Sequence, residues 1–414
     1  MRRFLILLLS VFCFYSINAQ TVKITANRLF DGIEMHDNWG IVIKGNVIID
    51  VGPGNKLKAD STVQLGDATL MPGMIEAHSH VLLYPYNQTE WNDQVLLESP
   101  ALRAIRGAKA ANANLMAGFT TIRDLGSEGA GYADVAVKQS IEMGIIQGPR
   151  MIVAGPAIVA TGSYGPKGFH DGVDIPLGAQ EADGENVIKV VREQIGKGAD
   201  VIKVYADYRW GPYKESMPTF SIEELKLMVE TAASSGRDVV AHASTAEGMR
   251  RATLAGVKTI EHGTEGTLEV FKLMKEHGVA FCPTLAATHS ITQYRTDWDG
   301  SKNTEPQVIK EKRAMFKTAL ESGVTIIAGG DVGVFEHGQN ALELEIMVDY
   351  GMKPLDVLKS VTSINAAAFR LTQLGQLKNG FLADVIAVPG NPVKDIKALY
   401  QPSLIIKNGQ LIKH

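Results

Sequence analysis

The chain has 414 residues, of which 45% are hydrophobic and 21% are charged, and its formal net charge at pH 7 is −4. This composition is typical of a globular protein that is long enough for one large domain and a smaller one. Charges of both signs are mixed along the chain without a run of Lys or Arg, so the sequence predicts no nucleic-acid partner.

The first 19 residues have the character of a secretory signal. Two arginines precede an apolar run over residues 4–15, and the small residue Ala19 ends the segment. The run is shorter than the roughly 20 residues that a membrane-spanning helix needs. A lipoprotein signal at Cys13 is disfavoured, because a bulky Phe precedes that cysteine. We therefore expect cleavage after Ala19, export to the periplasm or medium, and no stable membrane insertion of the mature chain.

Between residues 71 and 372, short apolar runs alternate with amphipathic helical stretches, which indicates a parallel sheet. Eight strand candidates rich in β-branched and small apolar residues begin near Leu70, Phe119, Arg150, Asp200, Asp238, Lys258, Val279 and Val324. Eight such units over this length predict a (β/α)₈ TIM barrel. The alternative is a doubly wound open sheet, which would more often have a glycine-rich phosphate loop after its first strand.

Two helix starts carry a recognisable capping pattern. Ser221 with Glu224, and Ser244 with Glu247, each place a hydroxyl three residues before a glutamate at the start of a helical stretch. Such a pair satisfies two free N–H groups of the first turn, so we expect a capping box at both sites.

The two ends of the mature chain differ from its centre. Residues 20–70 and 373–414 contain short β-type runs interrupted by Gly, Asn and Asp, which is typical of hairpins. Neither segment is long enough to bury a core alone. We expect the two to combine into one small β-sandwich domain beside the barrel.

Several histidines fall where the predicted strands end. His78 and His80 end the first strand, His242 the fifth and His262 the sixth. Side chains two residues apart on a strand face the same way, so His78 and His80 can reach one cation. The carboxyl ends of the strands are where such barrels build active sites. Taken singly, His242 and His262 would each fit a structural role as well.

Two ionisable residues stand in apolar surroundings. Asp331 follows TIIAGG at the end of the eighth strand, where an unpaired carboxylate is costly unless it binds metal or moves a proton. Lys203 lies within DVIKVYA, where desolvation would depress the pKa of its amine. Its amine could extend to water, or it could react with CO₂ to give a carboxylate that bridges two cations. The residues alone leave both alternatives open.

Taken as a set, the HxH pair, Lys203, His242, His262 and Asp331 resemble the amidohydrolase superfamily. Within it the chain is most similar to imidazolonepropionase-like and to Xaa-Pro or Xaa-Lys/Arg dipeptidase-type members. The resemblance extends over nearly the whole mature chain, from the segment MPGMIEAHSH to KNGFLADVIAVPGNP.

The resemblance implies a site for two divalent cations, with zinc favoured by the imidazole and carboxylate ligands. Its six ligand positions are His78, His80, Lys203, His242, His262 and Asp331. His78, His80 and Asp331 would bind one cation, His242 and His262 the other, and a carboxylated Lys203 would bridge them. The implied reaction is hydrolysis of an amide by a bridging hydroxide. Asp331 would carry the proton to the leaving nitrogen, and His242 and Lys203 are the other catalytic candidates.

The loops that follow the strands depart from the pattern of these relatives. TGSYG places Tyr164 where dipeptidase-type members tend to have histidine, and the bulky stretch YADYRWGPYKE follows Lys203. Tyr164, Tyr205 and Arg209 are therefore candidates for binding a substrate carboxylate or an extended amide. The aromatic rings could equally serve only to cover the mouth of the barrel. His337, after the eighth strand, is expected to support the substrate site.

We expect a small-molecule substrate, either a dipeptide or an N-acyl amino acid. The alternatives are a cyclic amide or an ester cleaved on the same scaffold, and a metal-free scaffold without enzymatic activity. The superfamily resemblance is compatible with a homo-oligomer, and the sequence leaves that state open.

Overall fold

The computed structural model describes residues 20–170, 172–210 and 215–414. The predicted export signal lies outside these ranges. Within them, no helix combines the length and the apolar character needed to cross a membrane.

The N-terminal segment forms seven short strands, which are β1 (Thr21–Thr25), β2 (Arg28–Phe30), β3 (Met35–Asp37), β4 (Trp39–Lys44), β5 (Val47–Pro53), β6 (Ser61–Gln64) and β7 (Ala68–Pro72). The first half of the central segment contains β8 (Met74–Ser79), α1 (Trp91–Leu96), α2 (Pro100–Met116), β9 (Phe119–Asp124), α3 (Ala133–Glu142), β10 (Arg150–Val153), β11 (Ile158–Val159), β12 (Gln180–Glu181), α4 (Asn186–Gly196), β13 (Ile202–Tyr205), β14 (Asp207–Arg209) and β15 (Ser216–Pro218).

The second half continues with α5 (Ile222–Ala233), β16 (Val239–Ala243), α6 (Ala246–Ala255), β17 (Thr259–His262), α7 (Leu268–Glu276), β18 (Ala280–Cys282), α8 (Leu285–Arg295), α9 (Gln307–Ser322), α10 (Ala341–Asp349), α11 (Pro354–Lys359) and α12 (Asn365–Ala368). The C-terminal segment adds β19 (Val385–Pro389), β20 (Leu404–Lys407) and β21 (Gln410–Lys413).

The two ends of the chain pair with each other. One sheet has the strand order β5-β4-β1-β6, and the other has the order β21-β20-β19-β7-β2-β3. In the second sheet, β19 pairs antiparallel with β7, so that Ile386 lies opposite Met71. Apolar side chains of both chain ends, including Ile24, Leu70 and Val385, share one buried cluster. Each end thus supplies the apolar surface that the other lacks.

The central strands are parallel and alternate with helices, as expected. They form two sheets with the orders β10-β9-β8 and β12-β11-β13-β16-β17-β18. The predicted third strand is divided between the two sheets, because Gly155 with a φ of 69° and Pro156 interrupt it after Val153. The chain therefore has a mixed α/β fold.

The sequence predicted a regular eighth strand near Val324, but the described structure has no regular strand there. Ile326 and Val332 form only isolated parallel bridges, to Phe281 of β18 and Ser79 of β8 respectively. At the end of this segment, Asp331 has a left-handed φ of 63° and its N–H donates to the carbonyl of His78 at 2.9 Å. The segment nevertheless hydrogen-bonds to β18 and to β8 and its continuation, through Phe281 N to Thr325 O (2.8 Å) and His80 N to Val332 O (2.8 Å).

The two predicted capping boxes differ in outcome. At the start of α5, Ser221 Oγ accepts from Glu224 N at 3.1 Å and Ser221 N donates to Glu224 Oε2 at 2.9 Å, which confirms the first box. The second box is wrong, because α6 begins one residue later with Thr245 as its N-cap. The N–H of Ser244 instead donates to the Asp207 carboxylate at 2.9 Å.

The predicted first strand near Leu70 is in fact two strands that meet at Gly73. Strand β7 belongs to the terminal sheet and β8 to the parallel sheet. A β-carbon at Gly73 would overlap Oγ1 of Thr120, which is 1% exposed. Only glycine therefore lets the chain pass from one sheet to the other at this distance from β9.

We expect Gly73→Ala to lower the free energy of unfolding by about 2 kcal/mol, because the added methyl overpacks the junction. Urea denaturation of the purified protein measures the change. Gly52→Ala is the matched control, since a β-carbon at that strand glycine meets no atom within 4 Å. Equal stability of the two variants would contradict the packing argument.

Candidate active site

A cavity of about 280 Å³ opens at the carboxyl ends of the parallel strands. Its wall includes five of the six predicted metal ligands, which are His78, His80, His242, His262 and Asp331. These residues are far apart in the sequence and meet because parallel strands end at one edge. The structure thus brings together the residues that the strand ends predicted.

The tightest group consists of His78, His80 and Asp331. The Nε2 atoms of the two histidines lie 3.2 Å apart, and Asp331 Oδ1 is 3.6 Å from the first and 3.3 Å from the second. One ligand atom each of His78, His262 and Asp331 fall within 4.8 Å of one another. This spacing suits donors that share a cation.

His242 and His262 lie beside this group. Their ring centroids are 4.5 Å apart, and the rings of His262 and His78 are 5.1 Å apart. Nδ1 of His242 and Oδ1 of Asp331 are buried without a hydrogen-bond partner among the described residues. Each such atom costs about 1–3 kcal/mol. A cation bound between the two groups would remove that cost, so the residues present fit a metal site.

Hydrogen bonds orient the imidazoles toward the cavity. His78 Nδ1 bonds Glu261 Oε2 at 3.0 Å, and His80 Nδ1 donates to the carbonyl of Gly126 at 2.9 Å. His262 Nδ1 bonds Thr284 Oγ1 at 2.8 Å. In each ring, the Nε2 atom is left for a cation, which is the arrangement expected of metal-binding histidines.

Burial keeps most of these rings uncharged. It lowers the pKa of His78 to about 4, and it lowers the pKa values of His242 and His262 well below their usual range. At His80, burial lowers the pKa, but the negatively charged Asp331 beside it outweighs burial and raises the pKa to about 9. A cation must therefore displace a proton from His80, while the other three rings are ready to donate.

A buried ion pair supports the first histidine. Burial alone would raise the pKa of Glu261, but the charge of Arg123 and the hydrogen bond from His78 outweigh it and lower that pKa. Arg123 Nη2 lies 2.9 Å from Glu261 Oε1, and Arg123 Nη1 donates to Thr259 Oγ1 at 3.1 Å. The ion pair thereby fixes the carboxylate that holds His78.

Backbone strain is concentrated at the cavity. Seven described residues other than glycine have a positive φ, and four of them line this cavity, namely Glu128, His262, Thr284 and Asp331. Such conformations cost about 1–3 kcal/mol each and persist where the surrounding contacts enforce them. The strain indicates that side-chain position matters more here than local stability.

Lys203 on β13 lies behind the cavity wall. It is 1% exposed, and burial lowers the pKa of its amine. Its Nζ atom is 5.7 Å from the ring centre of Tyr205, which itself stacks on His242 at 4.4 Å. The lysine is therefore buried next to the histidine group, and its amine does not extend to bulk water.

The predicted substrate residues divide into two groups. Tyr164, Tyr205 and Arg209 line the cavity. His337 does not reach it in the described structure, because its Nε2 donates to the carbonyl of Leu83 at 3.3 Å and its Nδ1 contacts Asn114 at 3.3 Å. It supports the backbone of a lining residue from behind.

The profile of the amidohydrolase family matches residues 69–412. This chain belongs to the amidohydrolase family. It is 33% identical over 422 aligned residues to the ochratoxinase of Aspergillus niger, with 91% of this chain and 83% of that protein covered.

Solved structures agree with this assignment. A Xaa-Pro dipeptidase with bound methionine superposes with a TM-score of 0.84 and 32% identity, covering 95% of this chain and 100% of that one. The A. niger ochratoxinase superposes with a TM-score of 0.81 and 31% identity, covering 96% of each chain. The protein is thus a hydrolase that acts on carbon–nitrogen bonds.

Sequence reasoning missed part of this amidohydrolase site. The cavity wall also contains Tyr86, Glu128 and Tyr208. Tyr208 stood in the aromatic loop that was singled out, and Glu128 stands between glycines directly after the second strand. An acidic residue in such a glycine-rich turn at a strand end is a signal that could have found it.

We expect Glu261→Gln to lower the free energy of unfolding of this amidohydrolase by about 3 kcal/mol, because it leaves the buried Arg123 without its charge partner. Glu230→Gln removes the same charge from an exposed position of α5 and serves as the control. Denaturant titration of both variants measures their free energies of unfolding. If Glu261→Gln were as stable as the control, the ion pair would not support the site.

Proposed function

We propose that this amidohydrolase cleaves amide bonds of peptide-like substrates, either dipeptides or N-acyl amino acids, with two divalent cations. The observation that supports this most directly is the convergence of four imidazoles and Asp331 on one cavity, beside the buried Lys203. Nδ1 of His242 and Oδ1 of Asp331 add to it, since each is a buried potential metal-ligand atom without a hydrogen-bond partner among the described residues.

In this proposal His78, His80 and Asp331 hold one cation, and His242 and His262 hold the other. Lys203, carboxylated by CO₂, is shared between them. Imidazole and carboxylate ligands fit zinc. When bound, such cations make hydroxide available at neutral pH and polarise the substrate carbonyl.

The chain's own residues perform the remaining tasks. Asp331 Oδ1, which has no hydrogen-bond partner in the described part of the chain, takes the proton of the attacking water and passes it to the leaving nitrogen. The stacked ring of Tyr205 holds His242 in place. The volume of about 280 Å³ limits the substrate to a small molecule.

Substrate binding is assigned to Tyr164, Tyr205 and Arg209. Arg209 is exposed at the rim, and its Nη2 donates to the hydroxyl of Tyr208 at 3.1 Å, which orients the guanidinium. A cation at the rim suits the free carboxylate of a dipeptide or N-acyl amino acid. The names of the two relatives, a Xaa-Pro dipeptidase and an ochratoxinase, support an amide substrate.

We further propose that the central strands and the segment 325–332 close as a (β/α)₈ barrel over residues 71–372. The backbone hydrogen bonds from this segment to β18 and to β8 and its continuation support closure. Residues 20–70 and 373–414 then form the β-sandwich domain, and residues 1–19 direct export.

Lys203→Ala should reduce the metal content from about two ions per chain to less than one and abolish most amide hydrolysis, because the shared ligand is lost. Elemental analysis of zinc-supplemented protein measures the first, and release of free amino acid from a dipeptide and N-acyl amino acid library measures the second. A cyclic amide in the same library tests the alternative substrate.

Lys226→Ala, at an exposed position of α5, is the control and should keep both metal and activity. Metal-free wild-type protein after zinc supplementation would overturn the proposal.

Asp331→Asn should lower kcat by about 100-fold or more while KM changes little, because the amide cannot accept the proton. Asp37→Asn, on the exposed side of β3, should leave both constants unchanged. Steady-state kinetics on the best substrate of the library gives both values. A variant with normal kcat would assign proton transfer to another group.

A further inference from the structure

Glu128 is a buried carboxylate at the cavity that the proposed mechanism does not use. It is 4% exposed, lines the cavity wall and has a φ of 48°. A side chain in this left-handed conformation costs stability that glycine would avoid. The chain has glycine at the neighbouring positions 126 and 129, yet it places a charged residue here.

Within the described ranges, the hydrogen-bond donors to the Glu128 carboxylate are both uncharged groups. Its Oε2 accepts from Trp91 Nε1 at 2.9 Å and from the hydroxyl of Tyr164 at 2.8 Å. The nearby guanidinium of Arg103 bonds to the backbone carbonyl of Glu128, so it fixes the loop and not the carboxylate. Among the described residues, Oε1 has no hydrogen-bond donor. A buried carboxylate in this state is incompletely compensated.

Oε1 lies close to one of the proposed metal ligands, and both residues line the cavity. A β-carbon placed on Gly126 would be 3.1 Å from Glu128 Oε1 and 3.3 Å from Cε1 of His80. The free oxygen and the imidazole thus lie around one point that glycine keeps open. A group bound to Oε1 would therefore lie near His80.

The surroundings of Glu128 suit a cation. Tyr164, which donates to Oε2, packs against Tyr205 and Tyr208 with ring centroids 4.7 and 4.8 Å away. Aromatic rings beside a carboxylate are the usual surroundings of a bound ammonium group. Arg209 on the same wall is exposed and carries the opposite sign, so the cavity offers one partner for an anion and one for a cation.

We propose that Glu128 is a specificity-determining residue that binds the ammonium group of the substrate through Oε1. This assignment rests on the proposed amide hydrolysis. It narrows the substrate class of the enzyme from peptide-like amides to peptide-like amides with a free amine. Because Oε1 is near His80, the α-ammonium next to the cleaved carbonyl fits best, and a side-chain ammonium is the second source.

Three substrates that differ in one group test this. Leucyl-phenylalanine carries the α-ammonium, 4-methylpentanoyl-phenylalanine replaces it with hydrogen, and 6-aminohexanoyl-phenylalanine carries only a side-chain ammonium. Wild-type protein should cleave one of the two amines with kcat/KM at least about tenfold above the uncharged amide. Whichever amine is preferred identifies the source of the ammonium group.

Glu128→Gln should lower kcat/KM for the preferred amine by about tenfold or more and leave the uncharged amide unchanged. Glutamine keeps an oxygen for Trp91 and Tyr164, and a thermal melt checks that the fold is intact. Glu336→Gln, an exposed glutamate outside the cavity wall, is the matched control and should change neither substrate.

An equal loss of kcat/KM for all three substrates would show that Glu128 has only a structural role, and it would overturn the proposal, as would unchanged kcat/KM values. If wild-type protein cleaves none of the three, the proposed function fails separately. In that case, calorimetric titration with intact leucyl-phenylalanine measures whether Glu128 contributes to binding. Binding about tenfold weaker in Glu128→Gln supports the ammonium site, and equal affinity overturns it.

Discussion

The contact between Arg123 and Glu261 links the two parallel sheets through side chains in the interior. Arg123 lies on β9 of the three-stranded sheet and Glu261 on β17 of the six-stranded sheet. Besides the 2.9 Å ion pair, Arg123 donates to the carbonyl of Ala77 at 2.7 Å. Both parallel sheets and the strand that carries His78 are thus fixed through one guanidinium in the interior.

This constraint explains why the site can contain so many strained and unpaired groups. A charge pair buried between sheets defines a single arrangement, since any shift leaves two charges unsatisfied. Around it, His262 and Asp331 adopt left-handed backbone conformations with φ values of 78° and 63°. The rigid interior holds these residues where local preference alone would not.

Site residues could be predicted from the sequence where their place at the end of a strand determines which side of the sheet they reach. His78, His242 and Asp331 could be assigned to the cavity because parallel strands end at one edge and their apolar residues mark where each strand stops. This regularity is a periodicity, which a single sequence displays. The pairing of the two chain ends was predicted because neither end is long enough to bury a core alone, and β19 does pair with β7.

Other features depend on contacts that no local pattern contains. The irregular course around Asp331 follows from hydrogen bonds to His78 that exist only after folding. His337 was expected near the substrate, but Asn114 on α2 holds it behind the wall. Thr245 replaces Ser244 as helix cap, at a turn where the Asp207 carboxylate accepts from the N–H groups of both residues. Each outcome was decided by a partner distant in sequence.

The pairing of β7 with β19 has a consequence for the order in which the molecule is made. Residues 68–72 and 385–389 are neighbours in the sheet, although about three hundred residues separate them along the chain. During synthesis the amino-terminal strands emerge first, and their apolar faces must stay uncovered until almost the last residues leave the ribosome. Completion of this sheet is therefore a late event, and the nascent chain must avoid aggregation until then.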